Sequence, residues 1–148
     1  MITVRQVLRD KGYQDVWSIS PDAAVFDALK LMSEKNVGAL AVMDGDRLVG
    51  IMSERDYARK VILKGKSSPM TPVRDIMTPD PIVVHPDQTL RECMELMTTH
   101  RVRHLPVVEN EKVVGLISIG DVLKEIISEQ ATFIKDLQNY IEGRGYGQ

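Results

Sequence analysis

The stretch Val49-Gly50-Ile51-Met52-Ser53-Glu54-Arg55-Asp56 recurs later in the chain as Val114-Gly115-Leu116-Ile117-Ser118-Ile119-Gly120-Asp121, with Val, Gly, Ser and Asp kept in place. The offset of 65 residues holds well beyond this stretch, since Trp17–Ile62 aligns with Ile82–Ile127 without a gap. Pro21-Asp22 falls on Pro86-Asp87, Leu31-Met32 on Leu96-Met97, and Val37, Leu40 and Val42 on Val102, Leu105 and Val107. A gapless internal match of this length marks a duplicated unit. Two copies are too few for a solenoid, which needs about three. They are expected to pack against each other around a pseudo-two-fold axis.

Each copy reads as β-α-β-β-α. A short strand (Val16–Ile19; Ile82–Val84) leads into Pro-Asp, where the Asp is placed to cap a helix. Helical spacing follows at Val25, Ala28, Leu29 and Met32, and again at Leu90, Cys93, Met94 and Met97. Two strands (Ala39–Met43 with Arg47–Met52; His104–Val108 with Lys112–Ile117) flank the turns Asp44-Gly45-Asp46 and Glu109-Asn110-Glu111, which are hairpin signals. A second helix starts at Ser53 or Ser118. Before copy two stands a lead-in, Val73-Arg74-Asp75-Ile76-Met77, echoed before copy one by Val4-Arg5-Gln6-Val7-Leu8 in a shifted register. The fold class is thus α/β (α+β). Residues 1–65 form the first repeat with its lead-in helix, and 66–128 the second. Residues 129–148 extend the last helix, whose apolar positions Val122, Ile126, Ile127, Ile134, Leu137, Tyr140 and Ile141 keep a helical period until Gly143. A long amphipathic stripe on a small domain needs a cover, and a homodimer in which this helix takes part is expected.

Composition narrows the function. A chain of 148 residues with 43% hydrophobic and 27% charged residues is globular rather than disordered. The formal charge of -2 argues against a nucleic-acid partner held through its phosphates. No apolar run approaches the roughly 20 residues needed to cross a bilayer, and the N-terminus lacks a secretion signal's apolar core. A cytoplasmic protein with no membrane partner is expected. Cys93 is the single cysteine, which excludes an intrachain disulfide and a cysteine-based zinc cluster. It sits in an apolar stripe and reads as packed. His100 and His104 lack a third metal ligand nearby in sequence, so no metal is expected. Phosphate-binding glycine loops and nucleophile elbows are missing, and no nucleophile–base set is visible. The protein is expected not to be an enzyme.

Ser-x-x-Asp opens a helix in both copies. One reading is a capping box, in which the Ser hydroxyl accepts from a backbone N–H and the acid reaches back. The other uses the same geometry for a ligand: a helix N-terminus suits a phosphate, and a carboxylate there can accept both hydroxyls of a ribose. His100 and Arg101 fit a solvated helix C-terminus. Arg103 and His104 enter a strand, where that argument fails, and phosphate contact is the better reading for them.

The chain resembles a tandem pair of cystathionine β-synthase (CBS) domains, a Bateman module. The resemblance is carried by Asp-Ile-Met-Thr (Asp75–Thr78), Val-Arg-His-Leu-Pro-Val (Val102–Val107) and Val-Gly-Leu-Ile-Ser-Ile-Gly-Asp (Val114–Asp121), with weaker versions at Val37–Val42 and Val49–Asp56. Copy one departs from the pattern at Ala41, where copy two has Pro106. The resemblance implies composite clefts that hold an adenosine-containing small molecule: AMP, ADP, ATP, NAD(H) or S-adenosylmethionine. It implies no catalytic cofactor. One cleft would join Ser53 and Asp56 to Thr78, Ile82, Arg103 and His104, with Arg55 nearby. The other would join Ser118 and Asp121 to Trp17, Gly38 and Ala39. The Asp would hold the ribose, the Ser would sit near the phosphate, and adenine would lie against the first strand. Phosphorylated ligands are expected to prefer the Asp56 cleft. The Asp121 cleft, with Gly38, Ala39 and Gly120 at the matching positions, is expected to bind adenosine more weakly or to leave room for a bulkier ligand. Bateman modules commonly pair into discs, and ligand binding would be read by a downstream protein. The alternative is an interaction or dimerisation module with vestigial clefts.

Overall fold

The computed structural model describes residues 1–11 and 16–143. The elements follow in the order α1 (Val4–Asp10), β1 (Ser18–Ile19), α2 (Val25–Lys35), β2 (Ala39–Asp44), β3 (Arg47–Ser53) and α3 (Glu54–Lys60). Three single 3-10 turns at Ile62–Lys64, Ser68–Met70 and Val73–Asp75 then carry the chain to β4 (Thr78–Pro79), α4 (Leu90–His100), β5 (His104–Glu109), β6 (Lys112–Ser118) and α5 (Ile119–Ile141). This is the expected mixed α/β pair of repeats with a long final helix. Residues 144–148 of the C-terminal extension lie outside the described residues.

The duplication extends to local detail. Helices α2 and α4 bury Val25, Ala28 and Met32, and Leu90, Cys93 and Met97, at matching positions. Both helices end on a left-handed residue with φ 55°, Asn36 in one and Arg101 in the other. The β2–β3 and β5–β6 hairpins close on two-residue turns and carry a bulge at the same place, between Val42 and Met43 and between Val107 and Val108. Asn110 and Glu111 both take positive φ in the second turn, which matches the twist of the flanking strands.

Two expectations are corrected. Asp22 and Asp87 do not cap the helices that follow; the N-caps are Ala24 and Thr89. The two acids instead bind arginines of the lead-ins, Asp22 pairing with Arg74 and Asp87 with Arg5. The strand expected over Ile82–Val84 contracts to one parallel bridge from Val84 to Val107. In copy one the Ala41 N–H donates to the Trp17 carbonyl, and β1 pairs in parallel with β2 at Ser18 and Ile19. Copy two has Pro106 at that place, with no N–H to give, so the pairing is lost one step earlier.

The lead-ins cross over. Val4 and Val7 of α1 are fully buried in the core of the second repeat, with Leu105, Val107 and Ile117. Val73 and Ile76 are buried in the core of the first, with Leu40, Val42 and Met52. The backbone contacts are reciprocal. Val4 N–H donates to Gln88 and Arg5 N–H to Pro86 (2.9 Å each), while Val73 N–H donates to Ala23 and Arg74 N–H to Pro21 (2.8 and 2.9 Å). Each lead-in also needs a glycine beneath it. A Cβ on Gly115 would lie 2.5 Å from Leu8 Cδ2, and one on Gly50 would lie 2.7 Å from Met77 Sδ and 2.9 Å from the Thr78 carbonyl oxygen. Each of the two cores is therefore completed by a segment from the other half of the chain.

Candidate functional site

Both Ser-x-x-Asp motifs form capping boxes. The Asp56 N–H donates to Ser53 Oγ (3.2 Å), and the Ser53 N–H donates to Asp56 Oδ2 (2.9 Å). Asp121 N–H and Ser118 Oγ (3.1 Å), and Ser118 N–H and Asp121 Oδ2 (2.8 Å), repeat the arrangement. Each box orients its carboxylate at the edge of a cavity between the repeats. The sequence spacing accounts for this. The hairpin strand ends on Ser, the helix starts on the next residue, and the acid at its third position folds back over the strand end.

The cavity beside Asp56 measures about 450 Å³. Ser53, Arg55 and Asp56 line one wall; Thr78, Ile82, Arg103 and His104 line the other. The structure thus gathers the whole expected set, although Thr78 itself is exposed on the edge strand β4. The cavity also takes in Arg59, Lys60, Asp80 and Arg101. Lys60 was within reach of sequence reasoning, being four residues beyond Asp56 on one helix face. Its ammonium lies 3.2 Å from Asp56 Oδ1 and donates to the Ile76 carbonyl oxygen at 3.0 Å.

The cavity beside Asp121 is smaller, about 200 Å³. Trp17, Gly38, Ala39, Ser118 and Asp121 line it as expected. The small residues Gly38 and Ala39 do not make it roomier than the Asp56 cavity, contrary to the expectation of space for a bulkier ligand. Leu8 and Lys11 enter from the crossed lead-in, and His104 reaches in from β5. A Cβ at Gly38 would stand 3.8 Å from His104 Nε2. Lys11 Nζ lies 2.9 Å from Asp121 Oδ2 and donates to the Leu116 carbonyl oxygen (2.8 Å). Sequence reasoning missed Lys11, because nothing local to Asp121 announces a cation from the other end of the chain. Trp17 carries the Lys35 ammonium 4.2 Å from its ring centroid.

His104 is shared, lining both cavities. Burial lowers its pKa; Asp121 and Asp56 oppose that shift, and Lys11 and Arg103 add to it. Arg55 is held below the usual guanidinium value, first by Arg59 and then by Arg103. Burial pushes the Cys93 thiol up to about 11, so it is a packed side chain and not a ready nucleophile. Among the described residues no three His, Cys, Asp or Glu side chains gather as a metal site would require. No described helix is long and apolar enough to cross a membrane.

Comparison with known proteins adds to this geometry. The profile of the CBS domain matches residues 2–62 and again 73–128. The mitochondrial CBS domain-containing protein CBSX3 of Arabidopsis thaliana is 40% identical over 153 aligned residues, covering 97% of this chain and 73% of the relative. A solved CBS-domain protein from Burkholderia ambifaria superimposes with a TM-score of 0.82 at 50% identity, covering 86% of this chain and 96% of that one. The fold is shared at lower identity by a Pyrobaculum aerophilum CBS protein complexed with AMP (TM-score 0.73, 24% identity, 86% of this chain and 99% of that one). It is shared too by the CBS domain pair of MJ0100 with 5'-methylthioadenosine and S-adenosylmethionine (TM-score 0.77, 22% identity, 87% of this chain and 98% of that one).

Proposed function

Since the chain belongs to the CBS-domain family, as a tandem pair, we propose that it is a non-catalytic regulatory module that binds an adenine nucleotide in the clefts between its repeats. The observation that carries this reading is the composite wall of each cavity. The cap acid of one repeat faces the segment before the first helix and the β-hairpin entry of the other, at Asp56 with Ile82 and Arg103, and at Asp121 with Trp17 and Gly38. A ligand there touches both repeats at once. It therefore shifts any equilibrium in which the repeats differ in relative position or rigidity, and that shift is what a partner protein would read. Ribose hydroxyls would go to the Asp carboxylate, phosphate to Arg103 and Arg55, and adenine to the strand. The Asp56 cleft is the principal site on size, since about 450 Å³ falls within the usual range for small-molecule pockets and about 200 Å³ falls below it. The solved relatives with AMP or S-adenosylmethionine bound share the fold and are consistent with an adenosine ligand.

A specific observation favours a second reading, a dimerisation module with vestigial clefts. Both cap acids are already engaged, Asp56 by Ser53 and Lys60 and Asp121 by Ser118 and Lys11. A thermal-shift series with AMP, ADP, ATP, NAD and S-adenosylmethionine separates the two. The nucleotide reading requires at least one to raise the melting temperature in a concentration-dependent way. Flat responses to all five would leave the caps as caps.

A further inference from the structure

The Asp56 cleft carries more positive charge than one phosphate requires. Arg55, Arg59, Lys60, Arg101 and Arg103 line it, against the carboxylates of Asp56 and Asp80. Lys60 is taken up by Asp56. The guanidinium groups of Arg55, Arg59, Arg101 and Arg103 make no ion pair or hydrogen bond among the described residues. This concentration of cations stands in a chain whose formal charge is -2. The matching positions of the first-repeat wall and the α5 wall are Gly120, Lys124, Asn36 and Gly38, so three of the four arginines have no cationic counterpart in the other cleft.

The placement is as informative as the count. Arg55 and Arg59 are four residues apart on α3 and so point along one helix face, their Cβ atoms about 5–6 Å apart. Arg103 and Arg101 answer them from the opposite wall, at the entry to β5 and at the C-cap of α4. Arg101 sits there at φ 55°, a conformation for which Asn or Gly is the easier choice and which Asn36 fills in the first repeat. Two arginines from each wall, four in all, offer more charge-assisted contacts than a compact anion uses and suit an extended one better.

We propose that Arg59 and Arg101 form a distal anion subsite in the Asp56 cleft, beyond Arg55 and Arg103, and that it takes the outer phosphates of a ligand with two or more linked phosphates. This rests on the reading of the cleft as an adenosine site and narrows it to a nucleoside di- or triphosphate.

Isothermal titration of the full chain with AMP, ADP and sodium tripolyphosphate, at one fixed ionic strength, tests it. ADP is expected to bind about ten-fold or more tightly than AMP, the gain of charge-assisted bonds to two further arginines, and tripolyphosphate is expected to displace ADP. In the double variant Arg59→Ala/Arg101→Asn, ADP should fall to about the affinity of AMP while AMP itself changes by less than about two-fold. Asn is chosen at 101 because it accepts the left-handed conformation, and an unchanged circular dichroism spectrum checks the fold. Equal binding of AMP and ADP by the wild type, or equal losses in the variant, would overturn the distal subsite and leave the adenosine reading standing. Tripolyphosphate binding that the double variant abolishes, in a protein that binds neither nucleotide, would uphold the subsite and sink the adenosine reading. Failure of all three probes to bind removes both.

Discussion

The acid of each Ser-x-x-Asp motif carries two roles, and a conservative substitution separates them. Asp56→Asn keeps an oxygen to accept the Ser53 N–H but loses the charge that pairs with Lys60. That pair is partly open to solvent, so the stability loss should be only about 0.2–1 kcal/mol by urea titration. Ligand affinity should fall further, by about 1.5–3 kcal/mol if ribose hydroxyls bond to a charged acceptor. Equal binding by Asp56→Asn and wild type would remove the ribose role. His104 gives a pH signature. Burial holds its folded pKa below the ordinary 6.5, so the unfolded chain binds a proton that the folded chain resists. Its contribution to stability is thus complete above about pH 6.5 and lost as the pH falls through the unfolded value toward the folded one. Melting temperatures at pH 7.5 and 5.5 should differ less in His104→Asn than in wild type; equal differences would exclude His104 as the source. At this scale the sequence was informative where a residue acts through its neighbours in the chain, as Ser53, Asp56 and Lys60 do. It was silent on Lys11, whose partner Asp121 lies at the far end of the chain.

The elements divide by how much of each is buried. Helix α5 buries Val122 and half-buries Ile126, but its stripe of Leu123, Ile127, Ile134, Leu137 and Ile141 is exposed. Deleting residues 131–148 should therefore leave the melting temperature of a monomer almost unchanged. If the helix mediates a homodimer, light scattering should report a lower mass for the truncated protein. An unchanged dimer would exclude that role. The glycines under the lead-ins are more demanding. Gly50→Ala would drive a Cβ against the Thr78 backbone as well as the flexible Met77 thioether, whereas Gly115→Ala meets only the end of Leu8. Both should destabilise, by about 1–3 kcal/mol, with Gly50→Ala the worse. Leu8→Ala should make Gly115→Ala less costly, and a double-mutant cycle with no coupling would show that the two do not touch in solution. The gapless alignment made the helices and hairpins legible, because burial periodicity and turn chemistry are local. Strand Ile82–Val84 was overextended because its length depends on an N–H that Pro106 lacks, in another element.

For the whole molecule, the repeat predicted two units but not their crossing. An alignment says which residues correspond, and corresponding lead-ins look the same whether each packs on its own repeat or on the other. The four-residue difference between the lead-in offset (Val4 to Val73) and the body offset was visible, but its spatial meaning was not. Because each core is completed by a segment from the other half, the halves should not melt separately. Calorimetry should give one transition with equal calorimetric and van't Hoff enthalpies; two resolved transitions would contradict the crossing. The same crossing constrains the order of events at the ribosome. Helix α1 is made about a hundred residues before its seat among Leu105, Val107 and Ile117, and the first core must wait for Val73 and Ile76. A nascent chain halted after residue 65 thus carries an amphipathic helix with its apolar face unseated and an unfinished core, prey to chaperones and proteases. Polypeptides 1–65 and 66–148 made from separate genes each hold the piece the other lacks, and should be recovered together in equal amounts.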